Sequence, residues 1–456
     1  MTNDTMDFYP AMSHPPAHPS VIAATALLGG IRLDPEQDWS ILEIGCASGH
    51  HILPIAESFP QASITAIDLD ARAIEEAKRL AQIAGLRNIE FHCEDLTTWQ
   101  APARHYDIII AHGVFSWIPD TAKTALLALC ERALKENGVA MISYNTLPGW
   151  TMRQPLREMT LALQQMPAHQ GSACSVLQSI AQSLQDRDDA YAKYLLDVIY
   201  DTHAKGDEQL RYDDLAPHNE PCYFSQFFQW IQQSGLTYVG EADSTLPQTS
   251  LLGSAAKQQL QSLAANPLLM EQMTDFLTGR SFRCSVICRT NTPRKAPTPE
   301  ELADLCIERL MPIPATGNDS TDAFAQAIMR TTPCCRSIKD LLVKAAQIDL
   351  SQALKLSLSL LSLGMIRLRL MPIIVCDEMP EFPRLSELNR DHLKQGKPIV
   401  DTFHRPCQLA PNDRNWLRLC DGSVSFEQLM KACRGDAQVQ ALHELLAHMN
   451  ERGLFV

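Results

Sequence analysis

Short apolar runs alternate with amphipathic segments from about residue 39 to residue 145, and this alternation constrains the fold more than any other feature of the sequence. The runs have the length of buried strands, and the segments between them have the periodicity of helices. A chain that alternates in this way forms a parallel sheet with helices packed against it. The predicted strands are 40–43, 63–67, 89–92, 106–111 and 138–144, and the predicted helices include 70–84 and 121–136.

The next region, 153–231, is polar and amphipathic, which predicts a helical insertion rather than another strand and helix unit. Two further apolar runs, 236–241 and 282–290, are separated by a helical stretch at about 257–277. We expect these two runs to close the same sheet as an antiparallel pair, so that the first domain extends to about residue 290.

A chain of 456 residues is longer than one hydrophobic core usually organises, so more than one domain is expected. Proline and charge are concentrated in NTPRKAPTPEE, 291–301, which is the composition of an interdomain linker. Beyond it, short helices followed by a strand occur twice, which predicts two winged-helix-like units. The first comprises 321–329, 337–345, 350–363 and the strand MIRLRL, and the second comprises 426–433, 439–449 and 453–455.

The first predicted strand leads into a turn of small residues within ILEIGCASG, 41–49. Such a turn lets the backbone approach a nucleotide-like ligand, and glycine accepts torsion angles that other residues resist. A dinucleotide site would need G-x-G-x-x-G, which fails here because Ala47 and His50 replace the second and third glycines. The pattern E-x-G-x-x-x-G instead fits the variant that binds S-adenosylmethionine, and its candidate cofactor residues are Glu43, Gly45, Cys46, Ala47 and Gly49.

Acidic residues follow the next two predicted strands. Asp68 ends the second strand about twenty residues after the glycine turn, where a carboxylate can accept hydrogen bonds from both ribose hydroxyls. Asp95 follows the third strand, where an acid can bind the adenine amino group while an apolar neighbour packs on the ring. Asp68 can alternatively cap the helix that begins near Asp70. Three matched strand ends in chain order favour a single cofactor site.

The fourth and fifth strands end in AHGVFSWIP and SYNTLPGW, at the edge where ligands of such sheets bind. Methyl transfer is a direct displacement at a sulfonium carbon, so the protein must hold the acceptor lone pair in line and exclude water. For a lysine acceptor, whose pKa is near ~10.4 in water, an apolar aromatic pocket favours the neutral amine. The candidate pocket residues are Phe115, Trp117, Tyr144 and Trp150, with the Tyr144 hydroxyl or Asn145 orienting the nitrogen.

Alternatives remain open for several of these residues. Trp117 and Trp150 fit simple core packing equally well. His112 can be a base, a cofactor contact or an ordinary loop histidine with its own hydrogen-bond partner. An Asn/Asp-Pro-Pro-Tyr/Phe segment, which grips planar amines, is replaced here by Ala111, His112, Gly113 and Val114, so methylation of bases and amides is disfavoured.

The segments ILEIGCASG, ITAIDLD, YDIIIAHGVFSWIP, VAMISYNTLPGW and EQMTDFLTGRSFRCSVICR together resemble bacterial class I methyltransferases with a methyltransferase regulatory domain. That family includes rickettsial protein lysine methyltransferases. The resemblance covers roughly residues 8–290 and, more loosely, the carboxy-terminal third. It implies that the segment near residues 12–19 folds over the site. It also implies that the cofactor is surrounded by Glu43, Gly45, Ala47, Gly49, Asp68, Leu69, Asp95, Leu96, His112 and Gly113.

Two positions depart from the family pattern. Gly49, His50 and His51 stand where relatives often have Gly-Gly-Asn, and Phe115 stands where a tyrosine often precedes Ser-Trp. The second change removes a hydroxyl from the predicted acceptor pocket.

The predicted fold class is therefore α/β, with a Rossmann-like class I methyltransferase sheet, helical insertions and mostly helical, winged-helix-like carboxy-terminal units. The predicted divisions are an amino-terminal lid or helical segment (1–37), a cofactor-binding core (38–150), a helical insertion and regulatory region with the last two strands (151–290), and winged-helix-like units at 296–375 and 384–456.

Composition excludes several classes of partner. A formal net charge of −14 offers no field to capture nucleic acid or anionic lipid, so neither is expected to bind. The first twenty residues lack a secretory signal pattern, and charged residues interrupt the apolar stretch 353–371, so a cytoplasmic protein without membrane insertion is expected. The 14 cysteines contain no C-x-x-C pair, and no metal site is predicted.

The leading hypothesis is S-adenosylmethionine-dependent methylation of lysine side chains in a protein substrate. One alternative is a small-molecule methyltransferase whose carboxy-terminal units serve to form a homodimer. A third hypothesis is a non-catalytic protein that senses S-adenosylmethionine. Turnover of the cofactor distinguishes the two enzymes from the sensor. Transfer of a methyl label to proteins or to small molecules distinguishes the two enzymes from each other.

Overall fold

A computed structural model describes residues 9–166, 172–243, 252–315, 317–345, 348–376 and 378–455. A mixed sheet lies at its centre and is covered by helices on both faces. The strands of this sheet are β1 (Ser40–Ile44), β2 (Ser63–Asp68), β3 (Ile89–Cys93), β4 (Tyr106–Ala111), β5 (Leu134–Asn145), β6 (Leu236–Glu241) and β7 (Phe282–Arg289).

Helices cover the sheet and form the insertion between β5 and β6. They are α1 (Pro19–Leu28), α2 (Ile52–Ser58), α3 (Ala71–Ile83), α4 (Asp120–Ala133), α5 (Gln154–Gln164), α6 (Ala173–Leu184), α7 (Ala190–His203), α8 (Gly206–Tyr212), α9 (Phe224–Gln233), α10 (Ser254–Ser262) and α11 (Pro267–Thr278). The insertion helices α5 to α8 surround an apolar cluster of their own, which includes Val176, Leu195 and Ile199.

Strands β1 to β5 are parallel and lie in the order β3-β2-β1-β4-β5. The order reverses between β1 and β4, so the loops that follow these two strands diverge and leave a crevice between them. Ligands of doubly wound sheets bind in such a crevice. The predicted Rossmann-like sheet is confirmed, and the residues that follow β1 and β4 are placed where a ligand would bind.

The two later strands close the sheet as predicted. Strand β7 pairs antiparallel with β5, and β6 pairs antiparallel with β7. Phe282, the first residue of β7, therefore lies opposite Asn145, the last residue of β5. This pairing brings a residue from the far end of the first domain to the ligand-binding edge of the sheet.

The boundary between α4 and β5 differs from the prediction, because the helix ends at Ala133 and the strand begins at Leu134. The backbone N–H groups of Arg104 and His105 donate to the carbonyls of Arg132 and Ala133 at 3.0 and 2.8 Å. Leu134 then takes an extended conformation and pairs with Tyr106. The segment that leads into β4, rather than local periodicity, therefore decides where this helix ends.

Two further groups of elements follow the sheet. The middle unit contains α12 (Pro299–Ala303), β8 (Cys306–Arg309), α13 (Asp319–Thr331), β9 (Arg336–Ser337), α14 (Ile338–Lys344), α15 (Leu350–Ser362) and β10 (Ile366–Arg369). The carboxy-terminal unit contains α16 (Glu387–Gln395), β11 (Ile399–Val400), β12 (Pro406–Cys407), α17 (Pro411–Leu417), α18 (Phe426–Lys431) and α19 (Asp436–Glu451).

The middle unit has the predicted three helices followed by a strand, together with β8, which the sequence pattern did not indicate. Strand β8 is four residues long and pairs antiparallel with β10. In the carboxy-terminal unit, the predicted strand at 453–455 is reduced to a single bridge between Phe455 and Leu385. The division into winged-helix-like domains stays a prediction. Among the described residues, no helix combines the length and the apolar character needed to cross a bilayer.

Helix α1 lies between the sheet and the middle unit. Ile22 packs in the core of the sheet, whereas Ala24 and Leu27 belong to the apolar cluster of the middle unit. The carbonyl of Ser20 accepts a hydrogen bond from the backbone N–H of Leu370 at 2.9 Å. An amino-terminal helix thus joins the central sheet to residues about 350 positions later in the chain.

The predicted linker is held against the sheet region rather than extended away from it. The backbone N–H of Lys295 donates to the carbonyl of Gly30 at 2.9 Å, and Arg32 donates to the Lys295 carbonyl at 3.0 Å. Arg32 also forms an ion pair with Glu301. The proline-rich composition therefore predicts the irregular backbone before α12, but neither the first residues of that helix nor the contacts that fix this segment.

Candidate active site

The turn after β1 has a backbone conformation that few residues adopt. Gly45 and Gly49 have φ values of +75° and +79°, and Ala47 has a φ of +45°. A Cβ atom at position 45 would lie 2.5 Å from Cγ2 of Val114, a residue of the loop after β4. A left-handed alanine costs energy, so the contacts around it must hold it in place. The turn therefore keeps its backbone close to the crevice between β1 and β4.

Asp68, at the end of β2, holds this turn. Its Oδ2 accepts a hydrogen bond from the backbone N–H of Ala47 at 2.8 Å, and its Oδ1 accepts one from the N–H of Asp70 at 2.9 Å. A carboxylate has about four lone-pair sites, so acceptor capacity for ribose hydroxyls remains. The helix-capping alternative is wrong, because Asp70, not Asp68, caps α3 by accepting from Arg72.

Candidate adenine contacts lie at the ends of the adjacent strands β2 and β3. The Leu69 residue is 71% exposed, although an apolar side chain of this size is usually covered. Asp95 is exposed and accepts hydrogen bonds from the Thr97 backbone and hydroxyl at 2.8 and 2.7 Å, which lower the pKa of Asp95. Leu96 is half-buried beside it. These residues share one edge of the sheet with Asp68.

Glu43 is a buried carboxylate with an unused oxygen. It is 3% exposed, and among the described residues its Oε2 has no hydrogen-bond partner. Burial, followed by the charge of Asp68, raises the pKa of Glu43, because both disfavour a second negative charge. Its Oε1 lies 3.9 Å from Nε2 of His51. Such a carboxylate fits a cationic ligand group, and S-adenosylmethionine carries both an ammonium and a sulfonium.

A first cavity, called the donor cavity below, includes most of the glycine turn. It is lined by Glu43, Gly45, Cys46, Ala47, Ser48, His50, His51 and His112, together with Tyr9, Pro10, Met12 and His14 from the amino-terminal segment. Gly49 lies behind it, where a Cβ atom would be 3.1 Å from Leu53. The amino-terminal segment thus covers the predicted cofactor site.

His112 lies at the inner end of the donor cavity. Its ring stacks on His14 with 3.7 Å between the ring centroids. Burial, followed by the His14 and His51 rings, lowers the pKa of His112 well below its ordinary value. A histidine with so low a proton affinity is a weak base at neutral pH. Its position therefore favours ligand contact over proton transfer.

A second cavity of about 300 Å³, the acceptor cavity, lies beside the first. Trp117, Asn145 and Trp150 line it as expected from the sequence, and Phe282 adds a third aromatic ring. Gly113 also lines it, and its backbone N–H donates to the Ser143 hydroxyl at 2.8 Å. The cavity therefore combines aromatic rings with polar and charged side chains, which include Arg153, Lys205, Gln209, Asp213 and Asp243.

The polar wall of the acceptor cavity is a hydrogen-bonded chain. Asn145 Nδ2 donates to Asn219 Oδ1 at 2.9 Å, and Trp117 Nε1 donates to the Asp213 carbonyl at 3.2 Å. The Asp213 carboxylate accepts from Lys205 Nζ at 2.8 Å, and burial raises its pKa despite this lysine. Because the Asn145 nitrogen is occupied, its Oδ1 is the atom that can accept a hydrogen bond from a ligand.

Tyr144 and Phe115 line neither of these two cavities, so the expectation for the Tyr144 hydroxyl is wrong. The Tyr144 ring stacks on Phe227 at 4.2 Å, and its hydroxyl lies 3.2 Å from Ser285 Oγ. Phe115 packs against the same Phe227 ring at 5.4 Å. Successive side chains of a strand point to opposite faces, so Tyr144 enters the core when Asn145 faces the cavity.

Sequence reasoning missed the residues that distant segments bring to the site. Tyr9 and His14 come from the amino terminus, Lys205 and Asp213 from the helical insertion, and Phe282 from β7. His14 and Phe282 lie in segments that the family resemblance covers, 12–19 and EQMTDFLTGRSFRCSVICR, but neither was singled out as a site residue. One weak indication of additional site residues was present in the sequence: His50 and His51, which follow the glycine turn, depart from the family pattern. Within the described ranges, no group of three or more His, Cys, Asp or Glu side chains is arranged to hold a metal ion.

Two segments of the chain match known protein families. Residues 41–138 match a methyltransferase domain, and residues 206–289 match a predicted methyltransferase regulatory domain. The first match covers the strands and turns that form the donor cavity. The second covers α8 to β7, which supply Asp213 and Phe282 to the acceptor cavity.

Individual proteins are similar over different parts of the chain. Uncharacterized protein RP789 of Rickettsia prowazekii is 33% identical over 299 residues, 62% of this chain and 52% of that protein. This chain thus spans about half the length of RP789. Malonyl-[acyl-carrier protein] O-methyltransferase of Halalkalibacterium halodurans is 33% identical over 105 residues, 23% of this chain and 38% of that enzyme.

One solved structure is similar over nearly the whole chain. It is PKMT2 from Rickettsia typhi in complex with AdoHcy, with a TM-score of 0.85 and 21% sequence identity. The match covers 98% of this chain and 99% of that one. The two chains therefore share the sheet, the insertion and the carboxy-terminal units.

Proposed function

We propose that this chain, in which one segment matches a methyltransferase domain and another a predicted methyltransferase regulatory domain, transfers a methyl group from S-adenosylmethionine to a lysine amine of a protein. The observation that carries the proposal is that the donor and acceptor cavities meet, because Met12, His14 and His112 line both. Displacement at a methyl carbon needs the reacting atoms about 3–3.5 Å apart and in line. Adjoining cavities allow that arrangement.

S-adenosylmethionine would supply an electrophilic methyl group on a positively charged sulfur. Glu43 would bind the cationic methionine end, since its carboxylate has an unpartnered oxygen in the donor cavity. Asp68 would bind the ribose, and Asp95 with Leu69 would bind the adenine. These assignments rest on the order of the strand ends around the crevice.

The acceptor side requires no strong base. Trp117, Trp150 and Phe282 exclude water and favour a neutral amine, which is the nucleophilic form. The Oδ1 atom of Asn145 would accept an N–H of that amine, which leaves the nitrogen lone pair directed at the donor cavity. Asp213, on the same wall, is already paired with Lys205, so this pair would contribute hydrogen-bonding groups rather than a net charge to the acceptor cavity.

A lysine acceptor is supported by the resemblance to rickettsial protein lysine methyltransferases and by the shared fold of PKMT2. A second candidate is methylation of a small molecule or a carrier-bound acyl group, which the similarity to malonyl-[acyl-carrier protein] O-methyltransferase favours. That similarity covers 23% of this chain, whereas the fold similarity extends over 98% of it. The protein substrate is therefore the stronger candidate.

The deciding experiment uses S-adenosylmethionine with a labelled methyl group and a cell extract separated into protein and small-molecule fractions. Label on lysine residues of the protein fraction, located by mass spectrometry, is expected with the wild-type chain and not with Glu43→Gln. Label in the small-molecule fraction alone would favour the second candidate. Absence of S-adenosylhomocysteine release with either fraction would contradict catalysis and favour a sensing role.

A further inference from the structure

Two histidine pairs join the carboxy-terminal unit to the segment that follows the glycine turn. His404 Nε2 lies 2.7 Å from His51 Nδ1, and His392 Nε2 lies 3.0 Å from His50 Nδ1. All four side chains are buried. His50 and His51 also line the donor cavity. The carboxy-terminal unit therefore reaches the wall of the predicted cofactor site through imidazole contacts.

The hydrogen bonds of His51 determine which of its nitrogens carries the proton. Its Nδ1 accepts the backbone N–H of His14 at 3.2 Å, and a backbone N–H can only donate. Nδ1 is therefore unprotonated, and His404 must donate its Nε2 proton towards the same atom. Burial, followed by the neighbouring His404 and His14, lowers the pKa of His51 although a backbone group of Ala17 acts in the opposite direction, so its ring is neutral. A neutral ring without a proton on Nδ1 carries it on Nε2.

This proton is directed to the side of the cavity that contains Glu43. His51 Nε2 lies 3.9 Å from Glu43 Oε1, which is just beyond hydrogen-bond distance. Among the described residues, His51 Nε2 and Glu43 Oε2 are both buried without a partner. A buried donor beside a buried acceptor, both unpaired, marks a site where a ligand completes the polar contacts.

We propose that His51 is a positioning residue for Glu43 and that His404 holds it in the required tautomer and orientation. This inference rests on the proposed function, in which Glu43 binds the methionine end of S-adenosylmethionine. The carboxy-terminal unit thereby determines how tightly that end of the cofactor binds. The adenosine end, at Asp68, Leu69 and Asp95, does not depend on this contact.

The second histidine pair provides a matched control. His50 and His392 form the same kind of contact across the same interface, and the charged groups that act on His50 are Lys397 and Arg79 rather than Glu43. A general weakening of the interface would affect both pairs alike. An effect through Glu43 would be confined to His404.

The test measures binding of two ligands to the full chain by calorimetry: S-adenosylhomocysteine, which has the methionine-derived end, and 5′-methylthioadenosine, which lacks it. In His404→Phe we expect affinity for S-adenosylhomocysteine to fall roughly 2- to 10-fold, the loss of one hydrogen bond, with no change for methylthioadenosine. In His404→Gln the amide N–H replaces the Nε2 proton and restores binding. His392→Phe leaves the affinity for both ligands unchanged.

Equal losses for both ligands in His404→Phe, or failure of His404→Gln to restore binding, would overturn the positioning role. Thermal unfolding verifies that each variant is folded. If His404→Phe does not fold, the variants His51→Leu and His51→Gln test the same contact. The measured quantity is the ratio of the affinity for S-adenosylhomocysteine to the affinity for methylthioadenosine. Only His51→Leu should change this ratio. A wild-type chain that binds neither ligand would refute the proposed function itself, before any variant is compared.

Discussion

At the scale of residues, the site is defined by a few buried polar groups with unused hydrogen-bonding capacity. Glu43 lines the donor cavity, Asp68 holds the glycine turn that lines it, and Asn145 lines the acceptor cavity. Asp68 and Asn145 each also have a polar neighbour, Asp70 and Tyr144, whose side chain lies outside the two cavities. Variants at both positions of such a pair separate an effect on the ligand from an effect on the fold.

Asp68→Ala should weaken S-adenosylmethionine binding by about 2–4 kcal/mol, because it removes charge-assisted hydrogen bonds to the ribose. It also releases the backbone of Ala47. The control is Asp70→Ala, which removes the cap of α3 and should cost about 1 kcal/mol of stability without changing affinity. Calorimetry measures both affinities, and unchanged binding in Asp68→Ala would mean that the cofactor lies elsewhere.

The affinity for S-adenosylmethionine should rise with pH in the acidic range. Burial, followed by Asp68, raises the pKa of Glu43 above its ordinary value, and a bound cation favours the ionised carboxylate and lowers that pKa again. Between the two pKa values, binding releases a proton, so raising the pH favours the complex until Glu43 is already ionised in the empty protein.

Calorimetry over a series of pH values, from the ordinary pKa of a glutamate upwards and in two buffers of different ionisation enthalpy, measures this proton release directly. Glu43→Gln should abolish both the release and the pH slope. An affinity that falls with rising pH in the wild-type chain would contradict the assignment of Glu43 to the cationic end.

Asn145→Leu should lower kcat by about an order of magnitude, because the variant keeps the side-chain volume but loses the acceptor for the substrate N–H. The adjacent variant Tyr144→Phe is the control. It removes a hydroxyl that bonds Ser285 in the core, so it should cost about 1 kcal/mol of stability and leave kcat unchanged. Steady-state kinetics with the acceptor protein measure kcat for both variants. A loss of kcat in Tyr144→Phe but not in Asn145→Leu would support the tyrosine as the group that orients the substrate nitrogen.

At the scale of elements, the donor site depends on turns whose conformation is set by neighbouring strands. The turn after β1 is held by Asp68 at the end of β2 and packs against Val114 of the loop after β4. The end of α4 is likewise decided by the segment that leads into β4. Local sequence indicated that these elements exist, and their neighbours determine their boundaries and backbone angles.

Gly45→Ala should reduce both stability and cofactor affinity, since φ is +75° and the added Cβ would lie 2.5 Å from Val114. Gly85→Ala is the matched control, with φ of +68° and no atom within 4 Å of the added Cβ. It should cost about 1 kcal/mol from the backbone angle alone and leave affinity unchanged. Thermal unfolding and calorimetry measure the two effects, and equal affinities in both variants would show that the Val114 contact is unimportant.

At the scale of the whole molecule, contacts at several places join the sheet region to the carboxy-terminal units. Helix α1 contributes to the apolar clusters on both sides, Arg32 pairs with Glu301, and the histidine pairs link α16 and the segment after β11 to the donor cavity. These contacts couple cofactor binding to parts of the chain that carry no recognised motif.

Ile22→Ala and Leu27→Ala should therefore each lower the temperature of one common unfolding transition. Ile22 faces the sheet and Leu27 faces the middle unit, and loss of either buried side chain should cost about 2–5 kcal/mol. Differential scanning calorimetry distinguishes this from independent domains. Two separate transitions, of which each variant shifts only one, would contradict the coupling.

The sequence by itself determined the central sheet, which has seven strands among the described residues. The sequence also determined that the last two of these strands close the sheet as an antiparallel pair. It also indicated which strand ends carry the glycine turn and the acidic residues, because glycine, alternation and apolar runs act over a few neighbouring residues. Only the tertiary structure decided that Asn145 rather than Tyr144 faces the acceptor cavity, that Phe282 lines it, and that His404 meets His51. Those outcomes depend on strand register and on packing between residues hundreds of positions apart, which local periodicity does not encode.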